Sequence, residues 1–399
     1  MIVGGGQAGI AMSAHLRDCG IDHLVIEKER IAERWRSARW DSLVMNGPAW
    51  HDRFPAMTFG ACHPDSFPGK EAVVNYFENF AKNIDAPIRC GEEVTNVTQM
   101  RGGGFMVESN RGLTTAQNIV AATGPFQTPV IPPIIADDYI YQIHSSDYRN
   151  PEQLDSGAGL VVGAGSSGSQ IADELLRTGR KVYLSIGPHE RPPRSYRGKD
   201  FVWWLGILGK WQMKTPPIGK DHVTIAVSGA YGGKTVDFRE FASRGMVLLG
   251  MSVAYENGVI TIAGDLKQNI ANGDAYYLGL LAEADEYIMA NDLDFPAEEE
   301  AKIIMPDPDC LAKPIRQLEL EKAGIRTILW ATGYQQDFSW LKADVFDDQN
   351  QPVHKKGVTN VNGVYFLGLP WLTMRGSSFI WGVWEDAKYL ASYIAKSGS

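Results

Sequence analysis

Apolar residues in this chain follow two rhythms. Short unbroken runs such as Ile2-Val3, Leu24-Val25-Ile26, Leu160-Val161-Val162 and Ile328-Leu329-Trp330 suit strands buried on both faces. Two of these runs lead straight into glycine clusters, Gly4-Gly5-Gly6-Gln7-Ala8-Gly9 and Gly163-Ala164-Gly165-Ser166-Ser167-Gly168, and then into helical spacing. The first helix, with Ile10, Ala14 and Leu16 on its apolar side, is expected to reach Cys19 with Gly20 as its cap. The second is expected over 169–178, capped by Gly179. Strands return at 23–26, ending at Glu27, and at 181–186. Each set is a strand–helix–strand unit of about 30 residues.

The rest of the pattern predicts a helix over 70–83 and hairpin strands within 94–107 and 113–120, split by Gly102-Gly103-Gly104 and Asn110-Arg111-Gly112. A strand at 364–367 and a closing helix over 381–395 complete the chain. Ala-Thr-Gly ends a strand twice, at 122–124 and at 331–333, on either side of the second unit. That recurrence predicts a discontinuous first domain, 1–145 with 325–399, and an inserted second domain, 146–324.

Length and composition agree with this. A chain of 399 residues exceeds one ordinary domain, and 44% hydrophobic with 21% charged residues is globular composition. Net charge of −9 argues against nucleic acid or an anionic membrane as partner, because both need a basic face. Cys19, Cys62, Cys90 and Cys310 stand far apart, which makes neither a disulfide framework nor a metal site and points to a reducing, cytoplasmic setting. No apolar run has the length of a membrane span; the longest aromatic stretch, 201–209, is expected to be a buried helix face. No stable membrane insertion is expected, and a homodimer is compatible with the chain.

The glycine clusters carry the chemistry. In Gly4-x-Gly6-x-x-Gly9 the first glycine makes the turn, the second admits a pyrophosphate and the third lets helix and strand pack closely. Glu27, with Lys28 after it, sits where a carboxylate accepts from ribose hydroxyls. In Gly163-x-Gly165-x-x-Gly168 the following strand ends without an acid, and Arg191, Arg194, Arg197 and Lys199 come after it. Arginine pairs with a 2′-phosphate, so the expectation is FAD in the first cradle and NADPH in the second, with hydride passing between them. The fold class is α/β: two Rossmann-like dinucleotide-binding domains of the three-layer ββα type, the NADPH domain inserted in the FAD domain.

Over nearly its whole length the chain resembles the class B flavoprotein monooxygenases, in particular the flavin-containing and YUCCA-like monooxygenases and their bacterial CzcO-type relatives. The segments that carry the resemblance are VGGGQAGIA, ERWRSARWDSLVMNGP, FPGKEAVVNYFENFA, AATGPFQTPVIP, IHSSDY, VVGAGSSGSQIADEL and LWATGYQQDFSWL. The fingerprint Phe-x-Gly-x-x-x-His-x-x-x-Phe/Tyr is half met: His144 and Tyr148 match, whereas Asp138 and Ile140 replace phenylalanine and glycine.

The resemblance implies that Arg34 and Trp35 help cover FAD and that Asn46 lies at the flavin's reactive edge. It places Thr123-Gly124 and Thr332-Gly333 at chain crossings beside the cofactor. Gln7, Ala8, Ser166, Ser167 and Gly368 complete the expected cofactor contacts. His51 is the candidate active-site histidine, and His144 is expected to fix the linker between domains. Trp371, Phe379 and Trp381 are candidate pocket walls.

The expected activity is oxygenation of a small organic substrate at a nitrogen, sulfur or carbonyl centre, with NADPH and O2, through a C4a-(hydro)peroxyflavin. Two rivals share the glycine motifs. A reductase or oxidase would not oxygenate its substrate, and its disulfide version needs a cysteine pair. A regulatory protein would bind the nucleotides without turnover.

Overall fold

The structure is a computed structural model and describes residues 1–135, 140–214 and 225–397; Asp138 of the half-met fingerprint lies outside them. Two five-stranded sheets, each all-parallel, organise the chain. The first has the order Val364–Phe366, Ile119–Ala121, Ile2–Val3, Val25–Glu27, Ile88–Cys90. The second has the order Val247–Leu249, Val182–Ser185, Ala158–Val162, Ile325–Trp330, Tyr141–His144.

Both units have three layers. On one face of the first sheet lie the helices Gln7–Asp18, Lys70–Asn83 and Ile380–Ser397; the other layer is a second sheet built on the hairpin strands Val94–Gln99, Phe105–Ser109 and Gly112–Ala116. Val97, Phe105 and Val107 share one core with Ile2, Val120, Val383 and Leu390, all almost wholly buried. Strands enclosed in this way need no polar face, which is why they read as unbroken apolar runs. In the second unit the helix Ser166–Arg177 covers one face through Ile171 and Leu175. The antiparallel strands Ser252–Glu256, Val259–Ile262 and Gln317–Glu319 cover the other, where Ile260, Ile262 and Leu318 meet Leu160 and Trp330.

The domain limits read from the pattern cut through the second sheet. They place strands 141–144 and 325–330 in the first domain, yet both hydrogen-bond inside the second sheet, with Leu329 opposite both Val161 and Ile143. Ala-Thr-Gly therefore ends one central strand in each unit, where it ends a strand of the first sheet at 122–124 and of the second at 331–333. We propose limits near 130/140 and 332/334, where Thr128–Pro129 pairs antiparallel with Tyr334–Gln335 in a two-stranded connection.

His144 pins that connection. Its Nδ1 accepts from Ser146 N at 3.1 Å, so Nε2 carries the hydrogen and donates to Gly333 O at 3.0 Å. Burial holds the imidazole below its ordinary pKa. With both nitrogens engaged, the ring fixes geometry, as the linker role requires.

Candidate active site

In the first cradle each glycine has its own cause. Gly4 adopts φ +113°, and a Cβ there would lie 2.5 Å from Ala122 O. A Cβ on Gly9 would penetrate Gly4 O, the contact that lets helix and strand close up. Around Gly6 nothing lies within 4 Å, so this is where a bulky anion can come against backbone. Gly5, a position the motif leaves free, is forced as well: its Cβ would meet Glu27 Cβ at 2.8 Å.

Gly6 caps the helix Gln7–Asp18 without a side-chain bond, leaving the first-turn N–H groups for a ligand. Glu27 accepts from Gly5 N at 2.6 Å and from Glu29 N at 2.9 Å, each oxygen keeping a lone pair for a ribose hydroxyl. Lys28 beside it is exposed. Residues from the far end of the chain complete this cradle. Gln7 Nε2 donates to Ser378 O at 2.7 Å, and a Cβ on Gly368 would press on Ala8 Cβ at 2.8 Å. Arg34 donates to Gln127 O at 2.6 Å, and Gln127 in turn donates to Thr123 Oγ1 and Gly124 O. Trp35, on the short helix Glu33–Ser37, packs against both cores.

The second cradle repeats the device. Gly163 adopts φ +103° with Ala331 O 2.5 Å from its would-be Cβ, and Gly168 is closed by Gly163 O. Gly165 caps the helix, again without a side-chain bond. Ser166 Oγ donates to Ile225 O at 2.8 Å, while Ser167 stays partly exposed. Thr332 Oγ1 donates to Val130 O, tying the two crossings side by side.

Arg191 and Arg194 do not offer free guanidinium groups. Arg191, 3% exposed, bonds Asp274 at 2.8 Å and lies over the Tyr277 ring. Arg194, 6% exposed, donates from Nη2 to both oxygens of Asp200 at 2.5 and 2.6 Å and lies over the rings of Phe67 and Phe201. Arg197 is likewise bound, to Asp285 at 2.7 Å. Buried cations require such partners, and in this structure the three guanidinium groups are engaged in internal ion pairs.

Asn46 stands at the junction of the two units. Its carbonyl accepts from Arg194 Nη1 at 2.6 Å, and its Oδ1 accepts from Gln170 Nε2 at 2.7 Å. Both donors belong to the second unit. The next residue, Gly47, donates its N–H to Asp52 Oδ2 at 3.1 Å, and Asp52 Oδ1 lies 2.6 Å from His51 Nδ1. A carboxylate at Nδ1 fixes the hydrogen there, and Nε2 of His51 has no hydrogen-bond partner among the described residues. The His51 ring meets Trp50, Trp211 and Trp381 at centroid distances of 5.4, 5.8 and 5.4 Å, and Phe379 lies 5.3 Å from Trp211. Phe379 and Trp381 therefore do line one aromatic wall with His51, joined by Trp211 from beyond the helix Phe201–Ile207. Trp371 takes a left-handed backbone, φ +57°.

Spacing within one motif could not reveal Gln170, Asp52 or Trp211. Asp52 alone left a local signal, its place five residues after Gly47. An open groove of about 710 Å³ among Pro151, Arg180 and Lys181 lies where the strands of the second sheet begin. Nucleotides bind at the opposite, carboxyl ends of such strands, and the groove has no part in either cradle.

The pyridine nucleotide-disulphide oxidoreductase family matches residues 1–204. The CzcO-like oxidoreductase of Geobacillus kaustophilus is 34% identical over 99% of this chain and 97% of its own length. The indole-3-pyruvate monooxygenase YUCCA1 of Oryza sativa subsp. japonica is 26% identical over 73% of this chain and 75% of its own. Among solved structures, the flavin-containing monooxygenase from Stenotrophomonas maltophilia superposes with a TM-score of 0.69 at 18% identity, covering 100% of this chain and 98% of the other.

Proposed function

The chain belongs to the pyridine nucleotide-disulphide oxidoreductase family, and we propose that it is an FAD- and NADPH-dependent monooxygenase that transfers one atom of O2 to a small organic substrate. The observation that carries this reading is the junction: two cradles complete in glycines, with Asn46 held between them by residues of the second. The relatives similar over most of this chain's length include a monooxygenase, which favours the same chemistry here.

The residues present fit the cofactors. Room beside Gly6, uncapped first-turn N–H groups and Glu27 would hold the pyrophosphate and adenosine ribose of FAD, with Gly368 and Gln7 closing the cradle. Gly163, Gly165 and Gly168 would hold the pyrophosphate of NADPH in the same way. FAD held there would supply the two-electron redox chemistry that links NADPH to O2. In the net reaction NADPH, a proton, O2 and the substrate yield NADP⁺, water and the oxygenated product.

The chain's own residues then do three things. Asn46 places an amide at the junction, where a fixed dipole acts on charge that develops on oxygen. His51, its Nδ1 fixed by Asp52 and its Nε2 unpartnered among the described residues, can hold or release a proton. Trp211, Phe379 and Trp381 give that side an apolar face, which disfavours water beside the reacting oxygen. A substrate reacting at nitrogen, sulfur or a carbonyl carbon suits an aromatic wall of this kind.

Turnover under ¹⁸O₂ with a panel of amines, sulfides and ketones tests the proposal. One labelled oxygen in a product, with NADPH consumption that stops when O2 is removed, is expected. NADPH consumption that proceeds without O2, or that yields only H2O2 for every substrate, would favour the reductase or oxidase reading instead.

A further inference from the structure

Resting on that function, we propose that Gln170 is a positioning residue that dictates which end of the Asn46 amide faces the junction. Val227 O can only accept a hydrogen bond, so the atom 3.0 Å from it must be the Gln170 amide nitrogen. The other hydrogen of that nitrogen goes to Asn46 Oδ1 at 2.7 Å. Turned over, the Gln170 amide would set its oxygen against Val227 O, and at 7% exposure water has little access to relieve the repulsion. Asn46 is thereby held with its oxygen consumed, and its Nδ2 has no protein partner among the described residues.

The backbone around Asn46 is fixed from two further directions. Arg194 holds the Asn46 carbonyl, and Asp52 holds the Gly47 N–H. Rotation of the side-chain amide is then the remaining freedom, and Gln170 removes it. The junction consequently presents a hydrogen-bond donor, the polarity that favours negative charge on oxygen. Because Gln170 stands on the helix Ser166–Arg177, that donor is imposed by the NADPH-binding unit and depends on the two units being docked as they are here.

Gln170→Glu keeps the size of the side chain and replaces the donor with an acceptor, so the Asn46 amide should turn and offer Oδ1 to the junction. With the purified holoenzyme in air, the fraction of NADPH electrons recovered as H2O2 is expected to rise several-fold, to the level of Asn46→Ala, with FAD content unchanged. In the Asn46→Ala background the same substitution should change that fraction by less than twofold. A fraction that stays at the wild-type level in Gln170→Glu, or that rises equally in both backgrounds, would overturn the proposal. Urea unfolding of Gln170→Leu, Asn46→Ala and their double variant gives a readout independent of turnover: the double should be no less stable than the worse single. Additive losses would show that the two amides do not act as a unit. If the wild-type enzyme transferred no oxygen at all, the function would fail while this unfolding cycle still decided the link.

Discussion

Gly6 and Gly9, three residues apart in one turn, should fail in opposite ways when they acquire a side chain. Gly6 has φ −85° and open space around it, so Gly6→Val folds normally but fills the room that FAD needs. Gly9→Val drives carbon into Gly4 O and separates helix from strand, so it should lose the fold together with the cofactor. Purification and FAD analysis check this: Gly6→Val is expected to be soluble, colourless and close to wild type in circular dichroism, and Gly9→Val largely insoluble. A yellow Gly6→Val protein would contradict the assignment of the first cradle. These glycines were legible in the sequence because their cause is local, within one turn and the next strand. Gln170 was not, since it acts on Asn46 from 124 residues away. The partners of Arg191 were hidden for a related reason: Asp237 and Asp274 reach it only when the chain folds back, whereas Asp200 stands six residues after Arg194.

The helices divide along the same line. Lys70–Asn83 falls where its periodicity predicts, and Ser166–Arg177 begins three residues earlier than expected because the glycine turn already supplies its first turn. The 25-residue helix Leu266–Ala290 has no counterpart in the sequence pattern. It runs unbroken through Gly273 and Gly279, and Gly273 is there for packing: a Cβ would strike the His189 ring. The closing helix Ile380–Ser397 holds an acid in its core. Asp386 is 2% exposed and accepts from Thr373 Oγ1, its second oxygen has no partner among the described residues, and burial pushes its pKa up to about 6.

The sign of the effect follows from linkage. The folded protein binds this proton more tightly than the unfolded chain, so Asp386 contributes stability below about pH 4 and loses it as pH rises through about 6. Asp386→Asn removes the dependence. Between pH 4 and pH 7 the difference in unfolding free energy should move in the variant's favour by up to about 3 kcal/mol, because each tenfold difference in proton affinity between folded and unfolded chain is worth about 1.4 kcal/mol. Buried histidines such as His144 and His189, whose pKa values are lowered, act oppositely but cancel in the comparison. A difference that is flat with pH would refute the assignment.

At the scale of the molecule, the α/β class and the two nucleotide-binding units were legible because strand, glycine turn and helix recur as one block. Their borders were not. Strand 325–330 carries the same Ala-Thr-Gly ending as the strand of the first sheet, and only pairing shows that it belongs to the second. Among the described residues no helix is long and apolar enough to cross a membrane. What the two units share is the junction at Asn46, and the account depends on electrons crossing it. Anaerobic titration of the purified yellow protein with NADPH tests this most directly. Loss of the flavin's visible absorbance, complete at about one equivalent of NADPH per bound FAD and reversed by admitting air, is the predicted result. Flavin that stays oxidised in excess NADPH would contradict the claim that the two cradles serve a single reaction.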